Sequence, residues 1–223
     1  MYFKGGIMCY SWEKEFEIEF GDLFKQNNKE DNNKEDLKII IGQSPYKQKI
    51  NGKEFKVSSC KNPYCELGET VAFFVTDWIK IQDSLEMIFN LLFNGSINSL
   101  KVLSYLRENK IPADEFADYL YINHNLVLTN IAINNKDCNI KRIESFIKDN
   151  NNKNIYLLLV GKKATKILNG QVDKYIKDFV EFIHPSGQNL NKPKCQQIYF
   201  NNWYSFKINN NSSKNFIIKK FIL

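Results

Sequence analysis

Two kinds of apolar pattern alternate along this chain of 223 residues. Short unbroken apolar runs bounded by polar residues or glycine predict buried β-strands, and apolar residues spaced three or four apart predict helices. The predicted strands cover residues 37–41, 126–133, 155–160 and 179–183. Parallel strands buried on both faces have this nearly continuous apolar character.

Helical spacing falls between these runs. The predicted helices lie at residues 11–26, within 71–93, and at 99–109, 113–121, 140–148, 162–168 and 194–206. Residues 47–69 are polar and contain Gly52, Pro63 and Gly68, which predicts mostly loop. We therefore predict one domain over 1–223, with an N-terminal helical and polar segment at 1–36 and a polar tail at 207–223.

Strands that alternate with helices indicate a fold class. The pattern predicts an α/β protein, a three-layer α/β/α arrangement with a central four-stranded parallel sheet. In such sheets, ligands bind at the carboxyl ends of the strands. The order of the strands does not follow from the sequence.

Composition adds modest constraints. The formal charge is +6, a weak basic bias that suits a polyanionic partner without requiring one. No apolar run approaches the roughly 18 residues of a membrane span, and the N-terminus lacks the features of a signal peptide. Five scattered cysteines predict neither a disulfide framework nor a metal site. We expect a cytoplasmic or nucleoid-associated protein that is not secreted and has no membrane partner.

Polar motifs follow the predicted strands. Gly42-Gln43-Ser44-Pro45-Tyr46 follows the first, Asn130 lies in the second, Gly161-Lys162-Lys163 follows the third, and His184-Pro185-Ser186 ends the fourth. Taken alone, each is common, because Gly and Pro end strands in many proteins. Their shared position at strand ends predicts one site.

In this order, the motifs resemble those of the uracil-DNA glycosylase superfamily. That family has a Gly-Gln-Asp-Pro-Tyr loop, a Leu-Leu-Asn-Thr-Val strand and a His-Pro-Ser loop. Its Phe-Ser-Val is similar to Phe55-Lys56-Val57 here. The resemblance covers residues 37–190. It implies the family's fold, the hydrolysis of an N-glycosidic bond to an altered base in single- or double-stranded DNA, no cofactor or metal, and a monomer.

The resemblance also implies roles for single residues. His184 would stabilise the departing base anion, and the main chain of Gln43 would help to bind the base. Asn130 would bind the base edge, Phe55 would stack on the ring, and Tyr46 would exclude the methyl group of thymine. An amide suits that edge because it both donates and accepts hydrogen bonds.

The segment after His184 is expected to contact DNA. The implied contacts are Pro185, Ser186, Gly187, Gln188 and Lys192. Gly187 takes the position of the glycine in the Asn-Pro-Ser-Gly motif of the mismatch-specific branch, which the segment resembles. Gln188 takes the position of the family's wedge leucine, with Leu190 as a possible substitute.

Ser44 departs from the family pattern, which has its central catalytic aspartate there. A serine hydroxyl carries no charge and is a poor base at neutral pH. Three interpretations stay open. The chain retains a weaker activity; another carboxylate substitutes (Glu54, Glu66 or Glu69); or the protein binds DNA or a partner without cutting. The candidate catalytic residues are therefore His184, Ser44 and Gln43.

Overall fold

The computed structural model describes most of the chain. The described residues are 2–4, 7–24, 34–43, 48–50, 53–55, 61, 63–68, 71–74, 83–132, 139–169, 172–185, 189, 191–203 and 213–223. In chain order, the strands are β1 (Tyr2–Lys4), β2 (Ile7–Cys9), β3 (Asp36–Gly42), β4 (Gln48–Ile50), β5 (Lys53–Phe55), β6 (Leu126–Asn130), β7 (Asn154–Val160) and β8 (Ile176–Phe182). The α-helices are α1 (Glu13–Phe24), α2 (Asp83–Leu92), α3 (Ser96–Glu108), α4 (Ala113–His124), α5 (Ile140–Asp149), α6 (Pro193–Trp203) and α7 (Ser213–Phe221).

Four of these strands form the central sheet. Their order is β6-β3-β7-β8, and every neighbouring pair is parallel. The sheet is flanked by helices, so the predicted α/β class with a four-stranded parallel sheet is confirmed. Because all four strands run the same way, their carboxyl ends share one edge of the sheet.

The core explains why the strands read as unbroken apolar runs. Ile39, Ile40 and Ile41 of β3 have no exposed surface, because the strand lies between β6 and β7 and both of its faces are covered. Every residue of β6 is buried as well. β6 and β8 are the two edge strands, and of these only β8 is partly exposed, with Val180 and Phe182 as its buried residues.

Helix α1 adds an aromatic cluster at one side of this core. The Phe16 ring is fully buried and lies within 6 Å of the rings of Trp12, Phe20, Tyr105, Phe116 and Tyr119. The N-terminal segment is therefore part of the packed structure. Two hydrogen bonds join Tyr10 and Glu13 where this helix begins. The Tyr10 main-chain N–H donates to Glu13 Oε1 at 3.0 Å, and the Glu13 N–H donates to the Tyr10 carbonyl at 3.3 Å.

Three elements differ from the sequence-based expectations. The predicted loop at 47–69 contains the antiparallel hairpin β4–β5. The apolar stretch 71–93 is helical only from Asp83 onwards among its described residues. The predicted polar tail contains α7, in which Ile217, Ile218 and Phe221 are buried. Spaced apolar residues among lysines gave a weak signal there, and packing on the sheet decided the outcome.

The carboxyl end of the chain is also part of the core. α7 packs against β8 and β7, and the Leu223 main-chain N–H donates to the Leu92 carbonyl at 2.8 Å. Among the helices described, none is long and apolar enough to cross a membrane.

Candidate active site

The carboxyl edge of the sheet gathers residues from all four strands. β3 ends at Gly42 and β6 at Asn130, and these two residues are register partners across the ladder. Gly161 follows the end of β7, and His184 lies two residues beyond the end of β8. The expectation that these positions lie at one edge of the sheet is met by the parallel topology.

Gly42 lies in close contact with Asn130 and Phe73. A methyl group added at Gly42 would lie 2.8 Å from Asn130 Oδ1 and 3.0 Å from Phe73 Cζ. Real side-chain carbons do not approach neighbours so closely, so a side chain here would require Asn130 or Phe73 to move. The absence of a side chain at Gly42 therefore lets the amide of Asn130 and the ring of Phe73 pack against the end of β3.

The side chain of Asn130 is buried and incompletely bonded. Only 1% of the residue is exposed, and its Nδ2 has no hydrogen-bond partner among the described residues. A buried donor without a partner costs about 1–3 kcal/mol, so it calls for an explanation. A ligand carbonyl oxygen at this amide would provide the missing bond.

The main chain of Asn130 is held firmly in place. Asn139, at the start of α5, donates from Nδ2 to the Asn130 carbonyl at 3.2 Å, and also to the carbonyl of Leu67. On the next residue, the Ile131 N–H donates to the Gly42 carbonyl at 3.0 Å. The unpartnered amide therefore extends from a rigid part of the backbone.

Phe73 provides an aromatic ring close to Gly42 and His184. Its ring centroid lies 6.4 Å from that of His184, with the planes tilted by 41°. Its backbone has φ of +66°, in the left-handed region that a bulky side chain rarely adopts. Such strain costs on the order of 1–3 kcal/mol and is concentrated at functional sites.

His184 lies against the turn that ends β7. A methyl group added at Gly161 would be 3.3 Å from His184 Cβ, and Gly161 itself has φ of +87°. Burial lowers the pKa of the His184 imidazole, because the surroundings disfavour its charged form. The ring is therefore neutral at neutral pH, with one nitrogen able to donate and the other able to accept a hydrogen bond.

The remaining predicted site residues divide into two groups. Gln43 is half-buried after β3, Pro185 is buried, and Lys192 is exposed immediately before α6. Phe55 ends strand β5 of the hairpin, and its side chain is outside the described residues. Also outside them lie Ser44, Tyr46, Ser186, Gly187 and Gln188.

Phe73 is the residue that the sequence-based prediction missed. The stacking role of Phe55 stays a prediction, whereas the ring of Phe73 is observed beside Asn130 and His184. A signal was present, because Phe73-Phe74-Val75 has the same Phe-x-Val form as Phe55-Lys56-Val57. The neighbouring Phe74 points into the core, where its ring centroid lies 6.0 Å from that of Phe89.

The suggested replacement of the aspartate by another carboxylate stays a prediction. Glu66 is exposed in the turn at 63–68, and Glu54 pairs with Lys49 in the register of the hairpin. Glu69 and the side chain of Glu54 lie outside the described residues. Within the part of the chain that is described, no group of three or more His, Cys, Asp or Glu side chains could hold a metal ion.

The comparisons with known proteins find similarity among solved structures. No protein-family model matches the chain, and no curated protein matches it. Among solved structures, the wild-type UNG crystal structure from Nitratifractor salsuginis is similar, with 14% sequence identity and a TM-score of 0.37. The match covers 83% of this chain and 73% of that one. We base no argument on a likeness at this level, and the chemistry is inferred from the site itself.

The described part of the site combines three chemical groups. An amide donor without a partner, an aromatic face and a neutral imidazole surround the ends of β3, β6 and β8. A planar heterocycle with a carbonyl group would satisfy the amide and could stack on the ring. The imidazole could then donate a hydrogen bond to a second oxygen that gains negative charge.

Proposed function

We propose that this protein is a DNA glycosylase that hydrolyses the N-glycosidic bond of uracil, or of another altered pyrimidine, flipped out of DNA. The observation that carries the proposal is the buried, unpartnered amide of Asn130 beside Phe73 and His184. The order of the strand-end motifs along the sequence supports the same assignment.

In this proposal, Asn130 and Phe73 bind the base. Enzymes that act on a base take it out of the stack, then recognise its exposed edge by hydrogen bonds and its face by stacking. The amide of Asn130 matches an imide edge, which offers both a donor and an acceptor. Phe73 takes the stacking role that the sequence suggested for Phe55, because its ring and the Asn130 amide both lie next to Gly42.

His184 stabilises the departing base. When the bond between sugar and base breaks, the pyrimidine leaves as an anion whose charge is spread over N1 and the carbonyl oxygens, and water adds to the sugar carbon. A neutral imidazole that donates a hydrogen bond from a water-poor position stabilises that charge, at about 2.7–4 kcal/mol for a donor of this kind. Burial keeps His184 in this neutral form, since it lowers the pKa of the imidazole.

Excision of uracil from oligonucleotides tests the proposal. Strands with one uracil, paired with adenine, paired with guanine or unpaired, are incubated with excess protein, and abasic sites are cleaved and separated on a gel. We expect product from at least one substrate. His184→Ala should lower the rate at least about 100-fold, whereas Asn151→Ala, in an exposed turn, should not change it. Full activity of His184→Ala would contradict the role given to His184.

The residue at position 44 gives reason to consider a second candidate function. The second candidate is a protein that binds altered DNA without cutting it, favoured by the serine at the position of the family's aspartate. Tight binding of uracil-containing DNA, with no product from uracil or from a panel of modified pyrimidines, would support it. If excision is the function, Ser44→Asp should raise the rate on uracil, because a carboxylate stabilises a cationic sugar.

A further inference from the structure

His184 lies beyond the last contact of its strand with the sheet. The ladder between β7 and β8 ends at the pair of Val160 and Phe182, where the Gly161 N–H donates to the Phe182 carbonyl at 2.8 Å. Among the described residues, no strand pairs with the main chain from Ile183 onwards. Buried backbone groups in that situation need other partners.

Two consecutive residues of α6 bond both polar groups of Ile183. Asn202 Oδ1 accepts from the Ile183 N–H at 2.8 Å, and Trp203 Nε1 donates to the Ile183 carbonyl at 2.9 Å. Trp203 is 1% exposed, and its ring packs edge-on against Phe182 with a centroid distance of 4.8 Å. The end of α6 thus takes the place of a neighbouring strand for one residue.

The next two carbonyl groups are also bonded by side chains. Asn189 Nδ2 donates to the His184 carbonyl at 2.8 Å, and Ser84 Oγ, in the first turn of α2, donates to the Pro185 carbonyl at 3.1 Å. Four side chains from three parts of the chain therefore hold the segment 183–185. We call Ser84, Asn189, Asn202 and Trp203 the His184 clamp.

The imidazole itself is held in a different way. Among the described residues, neither ring nitrogen of His184 has a hydrogen-bond partner, although such a bond commonly fixes a catalytic histidine. Contacts with Gly161 and Phe73 limit the ring on two sides. Its position therefore depends on where the main chain places Cα and Cβ, and that is set by the clamp.

We propose that the clamp, and above all Asn202 and Trp203, positions the His184 imidazole for reaction with the flipped base. This inference rests on the proposed function for its chemistry. The four are positioning residues, because they act through the backbone of 183–185 and have no described contact with Phe73 or Asn130. A displacement of about 1 Å at a reacting group can lower a rate about 100-fold.

Substitutions at Asn202 separate positioning from folding. Asn202→Ala removes the acceptor for the Ile183 N–H, whereas Asn202→Asp keeps an oxygen there. We expect Asn202→Ala to lower the single-turnover excision rate about 10- to 100-fold, with DNA affinity changed less than twofold, and Asn202→Asp to restore most of that rate. Gln196→Ala, exposed on the same helix, is the matched control. An unchanged rate in Asn202→Ala, or a loss equal to its unfolded fraction, would overturn the proposal.

A spectroscopic measurement tests the clamp without any excision. The chain has two histidines, so two imidazole signals are expected in a carbon–proton NMR spectrum, and His184→Gln assigns them. Asn202→Ala and Trp203→Phe should shift or broaden the signal of His184 and raise its pKa towards 6.5, while the signal of His124 stays in place. If the wild-type protein excises no base, the proposed function fails, but the NMR measurement still shows whether the clamp residues position His184. An unchanged His184 signal in both variants would refute it.

Discussion

Gly42 and Phe73 show that the space in the candidate site depends on single residues. The strand end needs a residue without a side chain, because Asn130 Oδ1 and the Phe73 ring occupy the space that a methyl group would fill. Phe73 in turn keeps a backbone conformation that costs energy. Both features are explained if the end of β3 is shaped to hold a ligand and not only to pack.

Gly42→Ala is expected to damage the site and the stability together. The added methyl group would force Asn130 and Phe73 apart, and such overpacking costs about 1–3 kcal/mol in the free energy of unfolding. Urea denaturation measures that loss, and single-turnover excision should fall with it. Gly21→Ala is the control, because nothing lies within 4 Å of that position in α1. There we expect a gain of about 0.5–1 kcal/mol, and equal effects at the two glycines would contradict the role of Gly42.

Buried histidines should make the protein lose stability in mild acid. Burial, together with the charge of Lys38, lowers the pKa of His124 from 6.5 to about 3. Between those two values the unfolded chain binds a proton that the folded chain does not, so stability falls as the pH falls. The slope reaches about 1.4 kcal/mol per pH unit for one group.

Replacement of His124 tests this pH dependence. Between pH 7 and pH 5, the free energy of unfolding of the wild type should drop by about 2 kcal/mol more than that of His124→Gln. Chemical denaturation at the two pH values gives the comparison. Parallel losses in the two proteins would show that His124 is protonated as easily when folded as when unfolded.

Among the secondary-structure elements, the ends of the strands supply the residues of the candidate site, and the middles of the strands do not. β3 and β6 bring Gly42 and Asn130 side by side, and β8 carries its chain on to His184. The apolar middles of the strands fix the direction and register of these ends. The helices have a second role, since α5 holds Asn130 through Asn139 and α6 holds the segment before His184.

Helix α1 is expected to be a substantial source of stability. Phe16 is fully buried among five aromatic rings of α1, α3, α4 and the preceding turn. Phe16→Ala should lower the free energy of unfolding by about 3–5 kcal/mol, measured by urea denaturation. Ile18→Ala, on the same helix at a residue 78% exposed, should change it by less than about 0.5 kcal/mol. A small effect at Phe16 would mean that α1 packs only loosely on the rest.

At the scale of the whole molecule, a net charge of +6 favours association with a polyanion. The lysines near the candidate site are exposed and lie at the carboxyl edge of the sheet: Lys162 and Lys163 follow β7, and Lys192 precedes α6. Lysines that bind phosphate groups release counterions, so they make DNA affinity fall as salt rises.

Lys192→Ala is expected to weaken DNA binding in a salt-dependent way. If Lys192 contacts one phosphate group, the slope of log affinity against log salt should become smaller by about 1. Lys219→Ala is the control, because its neighbour Lys220 bonds Asp36 at the amino end of β3, the opposite edge of the sheet. Fluorescence anisotropy with a labelled oligonucleotide measures both variants. Equal slopes for Lys192→Ala and the wild type would show that Lys192 does not contact a DNA phosphate group.

The α/β class, the four parallel strands and the position of His184 just after the last strand follow from the sequence alone. They rest on local patterns, since a buried parallel strand must be an unbroken apolar run and its end must carry turn residues. The predicted second strand runs on to residue 133, so the end of β6 at Asn130 does not follow from the sequence. The folded structure was needed to find the strand order, the packing of α7 on the sheet and the neighbours of Asn130. Phe73 and Asn202 come close to the strand ends from distant parts of the chain, and their contacts depend on packing. The Phe-x-Val pattern occurs twice in the sequence and does not by itself select Phe73, and no local pattern marks Asn202.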